Sequence, residues 1–136
     1  MSAVEDRLAE LGLSVPDVAK PVAAYSHGAV IAPGHRVLHT AGTVATRPDG
    51  TIADTVGGQA ADIWAALSVI CAEASMTLAD TVSYTTYVVA GHDLAPVMAA
   101  RDRALAGHAA ASTLIVVPAL ARPEWMLEIA LIAAAL

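Results

Sequence analysis

Cysteine is almost missing from this chain of 136 residues: Cys71 stands alone, which excludes an internal disulfide and any cysteine-based metal cluster. Lysine is equally scarce. Lys20 is the single example, and with six scattered arginines against 13 acidic residues the net charge is −6. No basic patch can be assembled from these positions, so nucleic acid is excluded as a partner. No apolar run approaches the roughly 18 residues that a membrane-spanning helix needs. The apolar stretch from Trp125 to Leu136 is short and broken by Glu128, so no membrane partner is expected. The first residues, Met-Ser-Ala-Val-Glu-Asp, have neither the basic start nor the apolar core of a secretion signal, and a cytoplasmic location is expected. Glycine-rich phosphate loops and a Gly-x-Ser-x-Gly elbow are absent. His39, His92 and His108 are irregularly spaced, with no Asp or Cys at ligand intervals, so neither a metal nor another cofactor is expected.

What the chain does have is apolar residues. They make up 57% of it, only 15% is charged, and the mean hydropathy is +0.61. A single domain of this length would not ordinarily bury that much apolar surface alone, which points to a subunit interface. Much of the excess is alanine, however, and alanine raises hydropathy without supplying large core side chains. A tightly packed monomer is the competing reading.

The pattern along the chain is mixed. Residues 3–12 have the spacing of a short helix, with Val4, Leu8 and Leu11 on one side and Gly12 as the stop. Pro16 and Pro21 bracket an extended segment, and Pro33-Gly34 reads as the turn of a hairpin whose second strand is Arg36–Gly42. From Gly57 to Met76 the period changes to three and four, with Ala60, Ile63, Leu67, Ile70, Cys71 and Ala74 on one helical face. Val82–Val89 is a strand by its β-branched and aromatic content, and Leu94–Leu105 is a second helix closed by Gly107. Thr113–Val117 and Trp125–Ala133 supply two more strands. This order predicts one sheet with both helices on one face. In the last strand Leu127, Ile129 and Leu131 point one way while Glu128, Ala130 and Ile132 point the other, so the uncovered face is also apolar and suits subunit packing.

Several ordered motifs carry a family resemblance. Pro21-Val-Ala-Ala-Tyr-Ser, Arg36-Val-Leu-His-Thr-Ala-Gly-Thr, Gly58-Gln59 before the long helix, Thr86-Tyr-Val-Val, and His108-Ala-Ala-Ala-Ser-Thr-Leu-Ile-Val-Val-Pro followed by Glu128-Ile-Ala resemble the RidA (YjgF-like, endoribonuclease L-PSP-like) family from about Leu8 onward. The resemblance implies an α+β, chorismate-mutase-like fold: a single mixed sheet, two helices on one face, and the other face toward a subunit interface. Residues 1–20 would be an N-terminal extension with a short helix and 21–136 the RidA-like domain. It further implies a homotrimer with small-molecule ligands in intersubunit clefts and, in active members, hydrolysis of enamines or imines to carbonyl products and ammonia. Two positions depart from the family pattern. Ser112 stands where active members place an arginine that forks onto the substrate carboxylate, a task a hydroxyl cannot perform, and Met98 stands where an asparagine is common.

Glu128 is the sharpest candidate for catalysis, because a lone carboxylate in an apolar strand is costly unless it is paired or functional. The resemblance assigns its counterpart to positioning or activating water. Tyr25 is the second catalytic candidate, a phenol able to orient a carbonyl or a water. Ser26, His27, Gly42, Thr43, Ser112, Thr113, Arg122 and Trp125 are candidates for ligand binding, with Arg122 a replacement cation from another direction. Each also has a plain structural reading: an interface salt bridge for Glu128, a packed tyrosine, a solvated loop arginine. Two functions therefore stand side by side, a divergent imine or enamine hydrolase and a non-catalytic metabolite-binding or assembly protein using the same cleft.

Overall fold

Thr55 is extended and its Oγ1 accepts the Gly58 N–H at 3.1 Å, satisfying one of the free donors at the start of a helix. From that cap helix α1 runs Val56–Glu73 in the computed structural model, which describes residues 12–136. Asp93 caps helix α2, Leu94–Leu105, through Ala95 N–H, and the chain leaves that helix through left-handed Ala106 and Gly107. Between the helices Thr77 and Asp80 form a reciprocal capping box around the 3-10 turn Leu78–Asp80. The short helix expected over residues 3–12 lies outside the described residues, apart from Gly12.

Among the described residues there are six strands: β1 Gly12–Leu13, β2 Gly28–Ala29, β3 Arg36–His39, β4 Thr81–Val89, β5 Ala111–Val117 and β6 Leu127–Ala135. The main sheet has the order β3-β6-β4-β5. Helix α2 is the crossover that makes β4 and β5 parallel, while β6 is antiparallel to both its neighbours. This is the α+β mixed sheet with two helices that the sequence pattern predicts.

Alternation in β6 is as expected. Leu127, Ile129 and Leu131 are buried against the helices with Ile63, Trp64, Leu67, Tyr84 and Val88, and Trp64 meets Tyr84 edge-on at 5.4 Å between ring centroids. The four largest fully buried side chains, Ile63, Leu67, Leu127 and Ile129, each contribute about 1.5–3 kcal/mol by leaving water. Cys71 belongs to this core, and burial pushes its thiol above the ordinary range, so it is an inert apolar filler. Glu128, Ala130 and Ile132 face the other side of the sheet, which no helix among the described residues covers. Val37 and Ile115 on that same side are 46% and 40% exposed.

Two expectations need correction. Pro33-Gly34 does turn, with Gly34 at φ 88°, but it does not make a hairpin. Strand β2 pairs with β1 and strand β3 pairs with β6, so turn chemistry set the bend but long-range burial chose the partners. On α1 the buried face is centred on Gln59, Ala60, Ile63, Trp64, Leu67 and Cys71, and Ile70 is left 37% exposed.

Candidate functional site

The candidate residues sort into two groups at different places on the sheet. The first surrounds Glu128. After His39 the edge strand breaks its pairing: Thr40 donates its N–H to Leu131 O, and the Thr40 hydroxyl accepts Leu131 N–H in place of a carbonyl. Pairing resumes at Thr43, which exchanges both backbone bonds with Ile129 at 2.8 and 3.0 Å. Three steps on one strand thus match two on the other, a bulge of the kind often found beside functional sites. It sets Gly42 against Glu128. A Cβ on residue 42 would lie 2.7 Å from Glu128 Cδ and closer still to Oε2, so only glycine lets the carboxylate occupy this place. Glu128 is half-buried, and Tyr87 stands directly opposite it on β4.

The rim of this group comes from the loop before β6. Trp125 Nε1 donates to Thr46 Oγ1 at 3.0 Å, and the Arg122 guanidinium lies 5.5 Å from the centre of the Trp125 ring. Arg122 is mostly exposed and only loosely paired with Glu124, at 3.9 Å. Its charge is therefore available to a ligand. A shallow cavity of about 200 Å3 continues along the open face beyond Glu128, floored by Ala130 and walled by His39, Ser83 and Thr85.

The second group lies at the opposite edge. Ser26 bridges to Ala111 at the start of β5, its N–H bonded to Ala110 O and its hydroxyl donating to Ala109 O. Tyr25 precedes it. His27 is fully engaged: Val15 N–H donates to Nδ1 at 2.9 Å, which leaves the ring proton on Nε2 to donate to Ala19 O at 2.8 Å. The imidazole clamps the strap over residues 13–19 and has no nitrogen left for a ligand. Thr113 pairs with Thr85 on the open face, whereas Ser112 pairs with Tyr84, whose ring is in the helix-side core. Ser112 is thus not on the face that carries Glu128.

The two groups do not meet within one protomer. Ser26, Ala111, Ser83 and Ile132 form a row across the sheet, and Glu128 is four residues back from Ile132. Three strand spacings and four residue rises amount to about 14 Å across and about 13 Å along, a separation of about 20 Å. Sequence reasoning missed three contributors to the Glu128 end: Tyr87, Thr46 and Gln59. Tyr87 shares the strand alternation that exposes Glu128, which was a usable signal. Thr46 and Gln59 act through contacts distant in sequence, which leave no local trace.

Comparison with known proteins agrees with this architecture. The endoribonuclease L-PSP family model matches residues 15–135. A protein of unknown function of the conserved Rid family, YyfB from Yersinia pestis, is 31% identical over 93% of this chain and 98% of its own, with a TM-score of 0.79. Rv2704 from Mycobacterium tuberculosis, a member of the YjgF/YER057c/UK114 family, is 25% identical over 80% of this chain and 85% of its own, with a TM-score of 0.62. Escherichia coli TdcF, solved with bound serine, shares the fold at 21% identity and a TM-score of 0.69, covering 95% of each chain. No curated protein matches. The bulged sheet, its two covering helices and a match over nearly the whole described chain lead to one assignment: this chain belongs to the endoribonuclease L-PSP family of Rid/YjgF proteins.

Proposed function

We propose that this protein is a small-molecule-binding homotrimer whose intersubunit clefts hydrolyse an imine, an enamine or a related carbonyl compound. The observation that carries this reading is the separation of the two groups. Glu128, with Gly42, Arg122 and Trp125, and Ser26, with Tyr25, are about 20 Å apart in one protomer, so a site using both needs two subunits. Joining one patch of each copy to a different patch of the next is a heterologous contact, which closes into a three-membered ring when each copy is turned by a third of a revolution. Val37 and Ile115, exposed on the open face, are apolar side chains such a contact would bury.

In the reaction an enamine first tautomerises to its imine. Glu128 takes one proton from the attacking water as oxygen bonds to carbon and passes it to the imine nitrogen, giving a carbinolamine; the hydroxyl proton of that intermediate then passes through the same carboxylate to nitrogen as the carbonyl forms and the carbon–nitrogen bond breaks. One water is consumed and one ammonia leaves, with no change in oxidation state. Tyr25 from the neighbouring subunit orients the substrate. Arg122, set over Trp125 in the loop that leads into the strand of Glu128, is the cation this reading assigns to the substrate, since residue 112 offers none.

The test is ammonia release from a panel of imines that includes 2-aminoacrylate and larger, uncharged examples. Wild-type protein turns over at least one, runs in solution at three times the protomer mass of 13.8 kDa, and loses about a hundredfold or more in rate with Glu128→Gln. No turnover on any of the panel, with Glu128→Gln indistinguishable from wild type, overturns hydrolysis. The facing of Ser112 toward the helices favours one second reading, a non-catalytic binder. In that case ligands from the panel raise the melting temperature without being consumed.

A further inference from the structure

Gln59 is the one polar side chain in the core of α1 with no exposure at all, and its amide is spent on a distant loop. Nε2 donates to Ala53 O at 2.9 Å and to Glu124 O at 3.0 Å, while Oε1 accepts Met126 N–H at 2.9 Å. Both donors and the acceptor therefore meet backbone groups, two of them on either side of Trp125. Glu124 O and Met126 N–H lie just before β6 begins at Leu127, where the sheet reaches only the Met126 carbonyl, which accepts Val89 N–H at 2.9 Å. A buried, fully satisfied amide is worth keeping only if it fixes something an apolar side chain would not.

We infer that Gln59 is a positioning residue: it ties the first turn of α1 to the Arg122–Met126 loop, and so sets the Arg122–Trp125 rim in relation to Glu128. The inference deepens the site reading proposed above and rests on it for its meaning in ligand binding. Loss of the tie frees Glu124 O and Met126 N–H, leaving this stretch held only by the Met126 carbonyl on Val89 N–H. Trp125 then slips from Thr46, and the Arg122 guanidinium goes with the ring. Glu128, held by the Thr43–Ile129 pairing, stays where it is.

Trp125 reports on this directly once Trp64 is replaced. Trp64→Phe is suited to that purpose, because Trp64 Nε1 has no hydrogen-bond partner to strand and the ring contact with Tyr84 is kept. In this background Gln59→Glu removes both donors while conserving shape. Burial raises the pKa of the introduced carboxyl, so at alkaline pH, where it is ionised, the expected result is a red shift of Trp125 emission and a fall in its anisotropy with the circular dichroism of the fold retained. Protonating the introduced carboxylate restores one donor, so the signal returns toward that of the background protein on acidification, while the background itself stays flat. Gln59→Met, apolar and of similar length, gives the same displacement without the pH dependence. Folded variants with unchanged Trp125 emission and anisotropy overturn the inference. Should neither variant fold, amide exchange in the unsubstituted protein decides: the Met126 N–H exchanges as slowly as the amides of β6, and exchange as fast as that of Arg122 and Glu124 overturns it. None of these readouts needs a ligand. Absent turnover with a displaced Trp125 counts against hydrolysis alone, and Glu128-dependent turnover with an undisturbed Trp125 counts against the role of Gln59 alone.

Discussion

The Glu128 end and the Tyr25 end of the molecule are built by opposite means. Around Glu128 the backbone belongs to a central strand paired on both sides, and the rim is held by a buried amide and an indole hydrogen bond. Around Tyr25 there are only two-residue strands, a single bridge to the edge of β5, and a strap pinned by one imidazole. A group that must transfer protons needs a fixed place, which the centre of a sheet provides. A group that must meet a neighbouring copy gains from standing on an edge, where backbone can adjust on docking. In the proposed function the first end is the seat of chemistry and the second the adaptable partner.

Two glycines test that division. Gly42→Ala brings a methyl against the far end of the Glu128 side chain, which can swing aside at little cost in stability. Turnover or ligand affinity is then expected to fall by roughly a hundredfold, the scale of misplacing a catalytic group, while the melting temperature hardly moves. Gly12→Ala brings its methyl against Ser26 Cβ at 2.8 Å and Ala109 O at 3.2 Å, neither of which has a flexible chain to retreat along. Here the cost is about 1–3 kcal/mol of local strain, read as loss of protection at the His27 amide in hydrogen exchange, where its bond to Leu13 O is lost. If Gly42→Ala unfolded the protein while leaving turnover intact, the Glu128 end would be structural and the comparison would fail.

How much of this the sequence discloses depends on the range of the contacts. Helix α2 ends where Gly107 and the αL Ala106 stop it, and the inward and outward sets of β6 are readable from alternation, because both are decided within a few residues. Glu128 stands out for the same reason. The pairing of β3 with β6 joins residues nearly a hundred positions apart, and the Pro33-Gly34 turn carries no information about it. Gln59 is similar. Its place on an apolar helical face marks it as unusual, but only the approach of residues 124 and 126 says what it holds. Ser112 shows the limit in another way: motif spacing locates the residue, and the parallel register with Tyr84 then turns its side chain toward the helices.

The smallest expected effect belongs to His27→Leu. Leucine keeps the bulk of the imidazole but returns Val15 N–H and Ala19 O to water, and each lost bond is worth about 0.5–1.5 kcal/mol net. The strap contributes exposed side chains such as Val15 and Val18 rather than core, so this energy governs local opening and not global unfolding. Exchange at the Val15 amide is therefore expected to quicken by about tenfold, and proteolysis within residues 13–20 to become faster, with the melting temperature within a degree or two of wild type. A fall of many degrees would put the strap inside the cooperative core and erase the difference between the two ends. Should the strap loosen as expected while trimer mass and Glu128-dependent turnover persist, the edge tolerates disorder that the centre does not, which is the asymmetry that a site shared between a rigid and a yielding partner requires.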